Sequence, residues 1–136
     1  MDKTADAIRK EEGWSATVYH DSLGFYTLGY GFNVDKRGGG IPLEVADFWL
    51  QWKLDRIRAE LPNRWPAFDI QPDEVKSALE QMAYQMGLDG LMKFKLMLLS
   101  LEHGNREAAA VNALGSKWAQ QTPQRAERVA SLLRGY

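Results

Sequence analysis

Hydrophobic and polar positions follow three successive patterns along this chain. In residues 2–12, Ala5, Ile8 and Glu12 recur at i, i+3 and i+7, one face of a short helix. Asp2 or Thr4 can cap its start, and Gly13 fits the position just past its end. That stripe turns Glu12 inward, while Glu11 points about 100° away, toward water. Residues 16–34 change pattern. Val18-Tyr19 and Phe25-Tyr26-Thr27-Leu28 are aromatic and β-branched, and Asp21-Ser22-Leu23-Gly24 supplies turn chemistry between them. A small antiparallel sheet of two or three strands follows, with Gly29 and Gly31 marking a bend or close backbone approach.

Helical spacing then dominates. Pro42 opens a long helix carrying Leu43, Ala46, Leu50, Leu54, Ile57 and Leu61. From Pro42 to Glu60 it would span about 28 Å. Val45, Phe48, Trp49 and Trp52 widen its apolar surface, so it is expected to contact two bodies of structure. Pro62, Pro66 and Pro72 are expected to break the chain. A helix from Gln71-Pro72-Asp73-Glu74 carries Val75, Leu79, Met82, Ala83 and Met86 and ends at Gly87. Phe94 to Leu101 reads as a central buried helix. An Ala-rich helix over 106–114, a short one at Ser116-Lys117-Trp118 and a last one over 123–134, capped by Thr122-Pro123, complete the pattern. The fold class is α+β, with a small antiparallel β-sheet lobe and a larger all-α lobe joined by a long helix, and a cleft between the lobes. The expected organisation is a single domain over 1–136. It comprises a small lobe (13–41), a linking helix (42–61) and a helical lobe (62–136) that includes the N-terminal helix (2–12).

Composition narrows the chemistry. With 136 residues and 45% apolar content the chain can bury a core. It has no cysteine, which excludes disulfides, thiolate metal sites and a cysteine nucleophile. His20 and His103 lack ligand spacing, so no metal and no cofactor is expected. A formal net charge of −1 gives no reason to expect nucleic acid as a partner. No apolar run reaches the roughly 18 residues of a membrane span. The segment MDKTADAIRKEEGW has no apolar signal-peptide core, which predicts synthesis in the cytoplasm without a signal peptide. The polar loop Asp35-Lys36-Arg37-Gly38-Gly39-Gly40 lacks the context of a phosphate-binding loop.

Within residues 10–34 lie Glu12, Asp21 and Thr27. Two carboxylates on different local structures can receive different environments, the separation that acid-assisted hydrolysis requires. A glutamate at a helix C-terminus opposes the helix dipole, and its inward position would desolvate it and favour the protonated form. Asp21, in a turn near water, is expected to stay ionised. From position alone, Asp21 also reads as an ordinary turn aspartate, Thr27 as a β-former, and Glu11 and Glu12 as a solvated pair.

Three segments, in order, resemble the glycoside hydrolase family of phage lysozymes of the T4 kind, family 24. EEGWSATVYHDSLGFYTLGYG is similar to the family core E-G-x6-Y-x-D-x2-G-x2-T-x-G-x-G. YQMGLDGLMKF resembles its [FY]-Q-M-G segment. AAAVNALGSKWAQQTPQRAERV resembles its C-terminal run through W-x-Q-T-P-x-R-A. The resemblance implies that Glu12 is the proton donor, Asp21 the second catalytic carboxylate and Thr27 the residue that places the attacking water. It implies that Arg125 pairs with the glutamate, and that Tyr84, Gln85 and Asn112 contact the saccharide near Trp118.

The implied activity is a muramidase cutting the β-1,4 bond between N-acetylmuramic acid and N-acetylglucosamine, with inversion, in bacterial cell-wall lysis. The implied partner is the peptidoglycan glycan strand, met by a monomer that does not insert stably into membranes. Release to the periplasmic wall would depend on a holin. A lytic transglycosylase and a non-catalytic wall-binding module are the competing readings. The chain departs from the pattern at Phe32, where the family commonly has histidine, and at Met97, where a polar contact is usual. The segment between sheet and long helix is also shortened, and the net charge is near zero.

Overall fold

The computed structural model describes residues 2–135; the two ends of the expected domain, Met1 and Tyr136, lie outside them. The elements are α1 (Lys3–Glu12), β1 (Ser15–His20), β2 (Tyr26–Gly29), β3 (Phe32–Asn33), α2 (Leu43–Arg64), a 3₁₀ turn (Pro66–Ile70), α3 (Asp73–Met92), α4 (Lys95–Glu102), α5 (Arg106–Leu114), α6 (Lys117–Gln121) and α7 (Pro123–Arg134). This is the α+β class read from the sequence. None of the described helices is long and apolar enough to cross a membrane. The chain forms two compact units, Met1–Phe48 and Trp49–Tyr136, and α1 groups with the sheet in the first.

In the first unit, local chemistry sets the elements. Asp2 caps α1, its Oδ1 accepting from the amides of Thr4 (2.9 Å) and Ala5 (3.2 Å). Gly13, at φ +72°, closes the helix by donating to Arg9 O. The sheet is antiparallel in the order β1-β2-β3. Thr27 pairs with Tyr19 on one side and Asn33 on the other, and Leu28 pairs with Phe32. Among residues 2–48 only Thr27 and Gly29 are buried. The expected inward stripe of α1 is not inward: Ile8 is 52% exposed and Glu12 is also exposed. Desolvation of Glu12 by its own helix face is therefore corrected. Three positions on so short a helix specify a face, and burial also needs a partner surface.

The apolar core lies in the second unit. Leu61, Trp65 and Phe68 meet Val75, Leu79 and Met82 of α3, Met97, Leu98 and Leu101 of α4, and Val129 and Leu133 of α7. Ala109, Ala110 and Ala113 of α5 and Ala126 and Ala130 of α7 are almost entirely buried, which lets those backbones approach closely. Arg106 ties the ends together: its Nε donates to Leu133 O (2.7 Å), and its Nη2 to Leu132 O (3.0 Å) and Glu74 Oε1 (3.1 Å).

Four local expectations are corrected. Pro62 does not break α2, which runs on to Arg64; near a helix end proline removes one amide bond, and burial of Leu61 and Trp65 favours continuing the turn. The long stripe of α2 enters the core only near its C-terminus, since Leu61 alone of its residues is buried while Leu43, Phe48, Trp49, Leu50 and Trp52 are exposed. Helix α4 is half buried, because Leu96 and Leu99 project away from the face that carries Met97, Leu98 and Leu101. Thr122 does not cap α7 with its side chain; its hydroxyl donates back to Trp118 O at 3.0 Å. The helix break at Gly87 is present as a kink, with φ +79° and ψ 162°, inside α3.

Leu79 is fully buried in this core. Leu79→Ala is expected to lower unfolding stability by about 2–5 kcal/mol. Urea titration of the full chain checks this.

Candidate active site

Asp21 lies in the β1–β2 turn and builds it. Its Oδ1 accepts from the amides of Leu23 (2.9 Å) and Phe25 (2.8 Å), and its own amide donates to Phe25 O (2.9 Å). Its backbone carbonyl accepts from Gly24 N at 2.9 Å. The carboxylate thus closes a side-chain turn of the kind for which aspartate is favoured. It is half-buried rather than exposed as the sequence reading expected, because the turn wraps around it. Among the described residues the side-chain hydrogen bonds of Asp21 go to Oδ1.

Thr27 follows two residues after Phe25 and is 1% exposed. Its Oγ1 lies 2.9 Å from Phe25 O and 2.9 Å from Oδ1 of Asn33 across the β2–β3 pair. One carbonyl, that of Phe25, therefore holds both the Asp21 backbone and the Thr27 side chain. Glu12 reaches this unit from the end of α1. A Cβ added to Gly31, at φ +73°, would collide with Glu12 Oε2 and come 2.9 Å from its Cδ. Glycine at this turn thus supplies both the backbone conformation and the room for the carboxylate. The structure brings Glu12, Asp21 and Thr27 into one small unit.

Tyr84, Gln85, Asn112 and Arg125 belong to the second unit. Gln85 Oε1 accepts from Trp118 Nε1 at 2.8 Å, and Phe94 meets Trp118 edge-on with ring centres 6.0 Å apart. Asn112 Nδ2 donates to Ala108 O at 2.9 Å. Asn112, Trp118, Phe94 and Met97 line one cavity of about 530 Å³, and Tyr84 lines another of about 510 Å³ with Trp52 and Lys53. Arg125 is half-buried in the first turn of α7.

A comparison with protein families matches residues 9–134 to the phage lysozyme model. The chain belongs to the phage lysozyme family. It is 40% identical over 154 residues to a probable T4-type lysozyme 2 of Dictyostelium discoideum, covering 93% of this chain and 91% of that protein. It is 28% identical over 155 residues to the pre-baseplate central spike protein of Enterobacteria phage T4, covering 95% of this chain but only 27% of that protein. It is 27% identical over 120 residues to a peptidoglycan hydrolase of Pseudomonas phage phiKMV, covering 85% of this chain and 13% of that one. Two of these relatives are thus far longer than this chain. The aligned lengths of 154 and 155 exceed its 136 residues, so those two relatives carry insertions it lacks.

Phe32 stands where the resemblance to the family led to the expectation of a histidine. Its ring lies over Gly29, where a Cβ would come 2.8 Å from Phe32 Cε2, and meets Tyr30 edge-on at 6.2 Å; Trp14 stands 5.5 Å from Tyr30. Two further residues were not singled out from the sequence. Asn33 contacts Thr27, and a hairpin centred on Tyr30 pairs residues whose numbers sum to 60, which is the signal that would have found it. Asp35 is the second. Its Oδ2 accepts from Tyr26 N (3.2 Å) and Arg37 Nη2 (2.9 Å), and its Oδ1 from Gly38 N (3.0 Å). Arg37 also donates to Gly24 O at 3.0 Å and lies 4.0 Å from the centre of the Phe25 ring. The glycine-rich loop is therefore stapled to the β1–β2 turn and to the start of β2.

Partial burial works against the charge on Asp35. The hydrogen bond from Arg37, the amides of Gly38 and Tyr26 and the Arg37 charge outweigh it, so the carboxyl sits below the ordinary aspartate value. A carboxyl with a lower folded than unfolded pKa binds fewer protons when folded. It therefore stabilises above the unfolded value, near 4, and that contribution is lost as pH falls through the folded value. Wild type is expected to be more stable than Asp35→Asn at neutral pH, and the difference is expected to shrink as pH falls below the ordinary aspartate value near 4. Urea unfolding of both proteins across that range tests the sign.

Proposed function

We propose that this lysozyme hydrolyses peptidoglycan at the β-1,4 bond between N-acetylmuramic acid and N-acetylglucosamine, with inversion at the anomeric carbon. The observation that carries the reading is the common anchoring of Asp21 and Thr27 on the Phe25 carbonyl, in a family member whose Glu12 lies against the next turn of the same sheet. The relative from phage phiKMV named a peptidoglycan hydrolase supports the substrate class.

In this reading Glu12 gives its proton to the glycosidic oxygen as the bond breaks. Asp21, with Oδ1 occupied by backbone amides, uses Oδ2 to take a proton from water attacking the opposite face of the oxocarbenium-like transition state. Thr27 holds that water. A separate water between acid and base is what distinguishes inversion, with carboxyls about 6.5–9.5 Å apart, from retention at about 5–5.5 Å. Tyr84, Gln85, Asn112 and Arg125 contact the glycan strand in this proposal. The cell wall is the site of action, and the enzyme works as a monomer with a holin providing release.

Glu12→Gln keeps the shape of the side chain and removes its proton. It is expected to abolish clearing of permeabilised bacteria, and clearing at the wild-type rate would sink the assignment. Proton NMR of freshly cut soluble glycan is expected to show the α-anomer first. A β-anomer would exclude inversion, and anhydro sugar ends would indicate a transglycosylase instead. Gly31→Ala should lower kcat about tenfold or more by displacing Glu12; turnover of the purified variant on the same glycan reads this.

A further inference from the structure

The hydroxyl of Thr27 poses a problem of proton counting. Its oxygen lies 2.9 Å from Phe25 O and 2.9 Å from the Asn33 side-chain amide, assigned as Oδ1. A threonine hydroxyl has one proton to donate. If both neighbours were acceptors, one pair of oxygens would face each other lone pair to lone pair, at a buried site where that repulsion is poorly screened. A backbone carbonyl can only accept. The Asn33 amide can present either end, since its oxygen and nitrogen are interchangeable in shape. The consistent arrangement turns Asn33 so that Nδ2 donates to Thr27 Oγ1, and Thr27 donates to Phe25 O.

We infer that Asn33 is a positioning residue for Thr27: by donating to its hydroxyl, it fixes the rotamer and commits the hydroxyl proton to Phe25. Thr27 then meets the attacking water with a lone pair, as an acceptor. The inference rests on the proposed role of Thr27 and specifies how that role is performed.

Asn33 is itself held from outside the sheet. Gly38 lies so close that a Cβ there would collide with Asn33 Cβ and come 2.8 Å from Asn33 O. Gly38 is placed by Asp35, whose backbone carbonyl accepts from Gly38 N at 3.1 Å and whose Oδ1 accepts from it at 3.0 Å. Asp35 in turn is bonded to Tyr26 N, next to Thr27. The glycine loop thus closes a ring of contacts, Thr27 to Asn33 to Gly38 to Asp35 to Tyr26, around the water-holding residue.

Valine and threonine match in shape and β-propensity, and only threonine can donate across the strand pair. Asn33→Val is expected to lower kcat on soluble peptidoglycan about tenfold with KM changed less than about twofold, and Asn33→Thr to recover most of the loss. A structural role alone would affect both variants alike. Equal kcat in the two variants, or a loss carried by KM, would overturn the inference. In the unmutated full chain, NMR should show a cross-relaxation peak between the Asn33 side-chain amide and the Thr27 methyl, and its absence would overturn it independently of any variant. Glu12→Gln and Thr27→Val serve as controls. If they keep full activity, the proposed function fails; if they lose it while Asn33→Val does not, only the role of Asn33 fails.

Discussion

The reciprocal bonding of Asp21 and Phe25 is the constraint on which the small unit depends. The Phe25 amide donates to the Asp21 carboxylate, and the Asp21 amide donates to the Phe25 carbonyl. The first bond makes the turn and spends one carboxylate oxygen. The second fixes a carbonyl that Thr27 then uses. In the proposed mechanism Asp21 both shapes the turn and takes a proton from water, and aspartate can meet both demands because it has two oxygens.

The two units are held by different forces. The second buries a continuous apolar core, with alanines where α5 and α7 approach and Arg106 satisfying carbonyls at the end of α7. The first buries only Thr27 and Gly29 among its described residues. Its order comes from a helix cap, an aspartate turn and the Asp35 staple. A unit of fewer than fifty residues with so little burial draws little stability from apolar packing. Placing the candidate chemistry on a hydrogen-bonded scaffold makes it sensitive to single polar contacts in a way that the core is not.

Much of the fold was legible. Asp2 and Gly13 bound α1, Asp21 to Gly24 make the first turn, and α5 and α7 begin and end where their patterns indicated. These features rest on local propensity, capping and turn chemistry, which act within a few residues. The misreadings occurred where a local rule met packing. Pro62 looked like a stop, but burial on both sides of it prolongs the helix. The stripe of α2 looked buried along its length, but spacing identifies a face without identifying what covers it.

The candidate site divides along the same line. The identities and spacing of Glu12, Asp21 and Thr27, the turn that holds the aspartate and, through the distant Trp118–Arg125 run, the family follow from residue type and order. That Glu12 rests on a glycine rather than inside a helix stripe, and that Asp21 and Thr27 share one carbonyl, follows from the folded arrangement. So does the placing of Asn33 and the loop around Asp35 behind Thr27. Hydrogen-bond partners depend on distances across strands and loops, and sequence spacing does not specify those distances until the register is known.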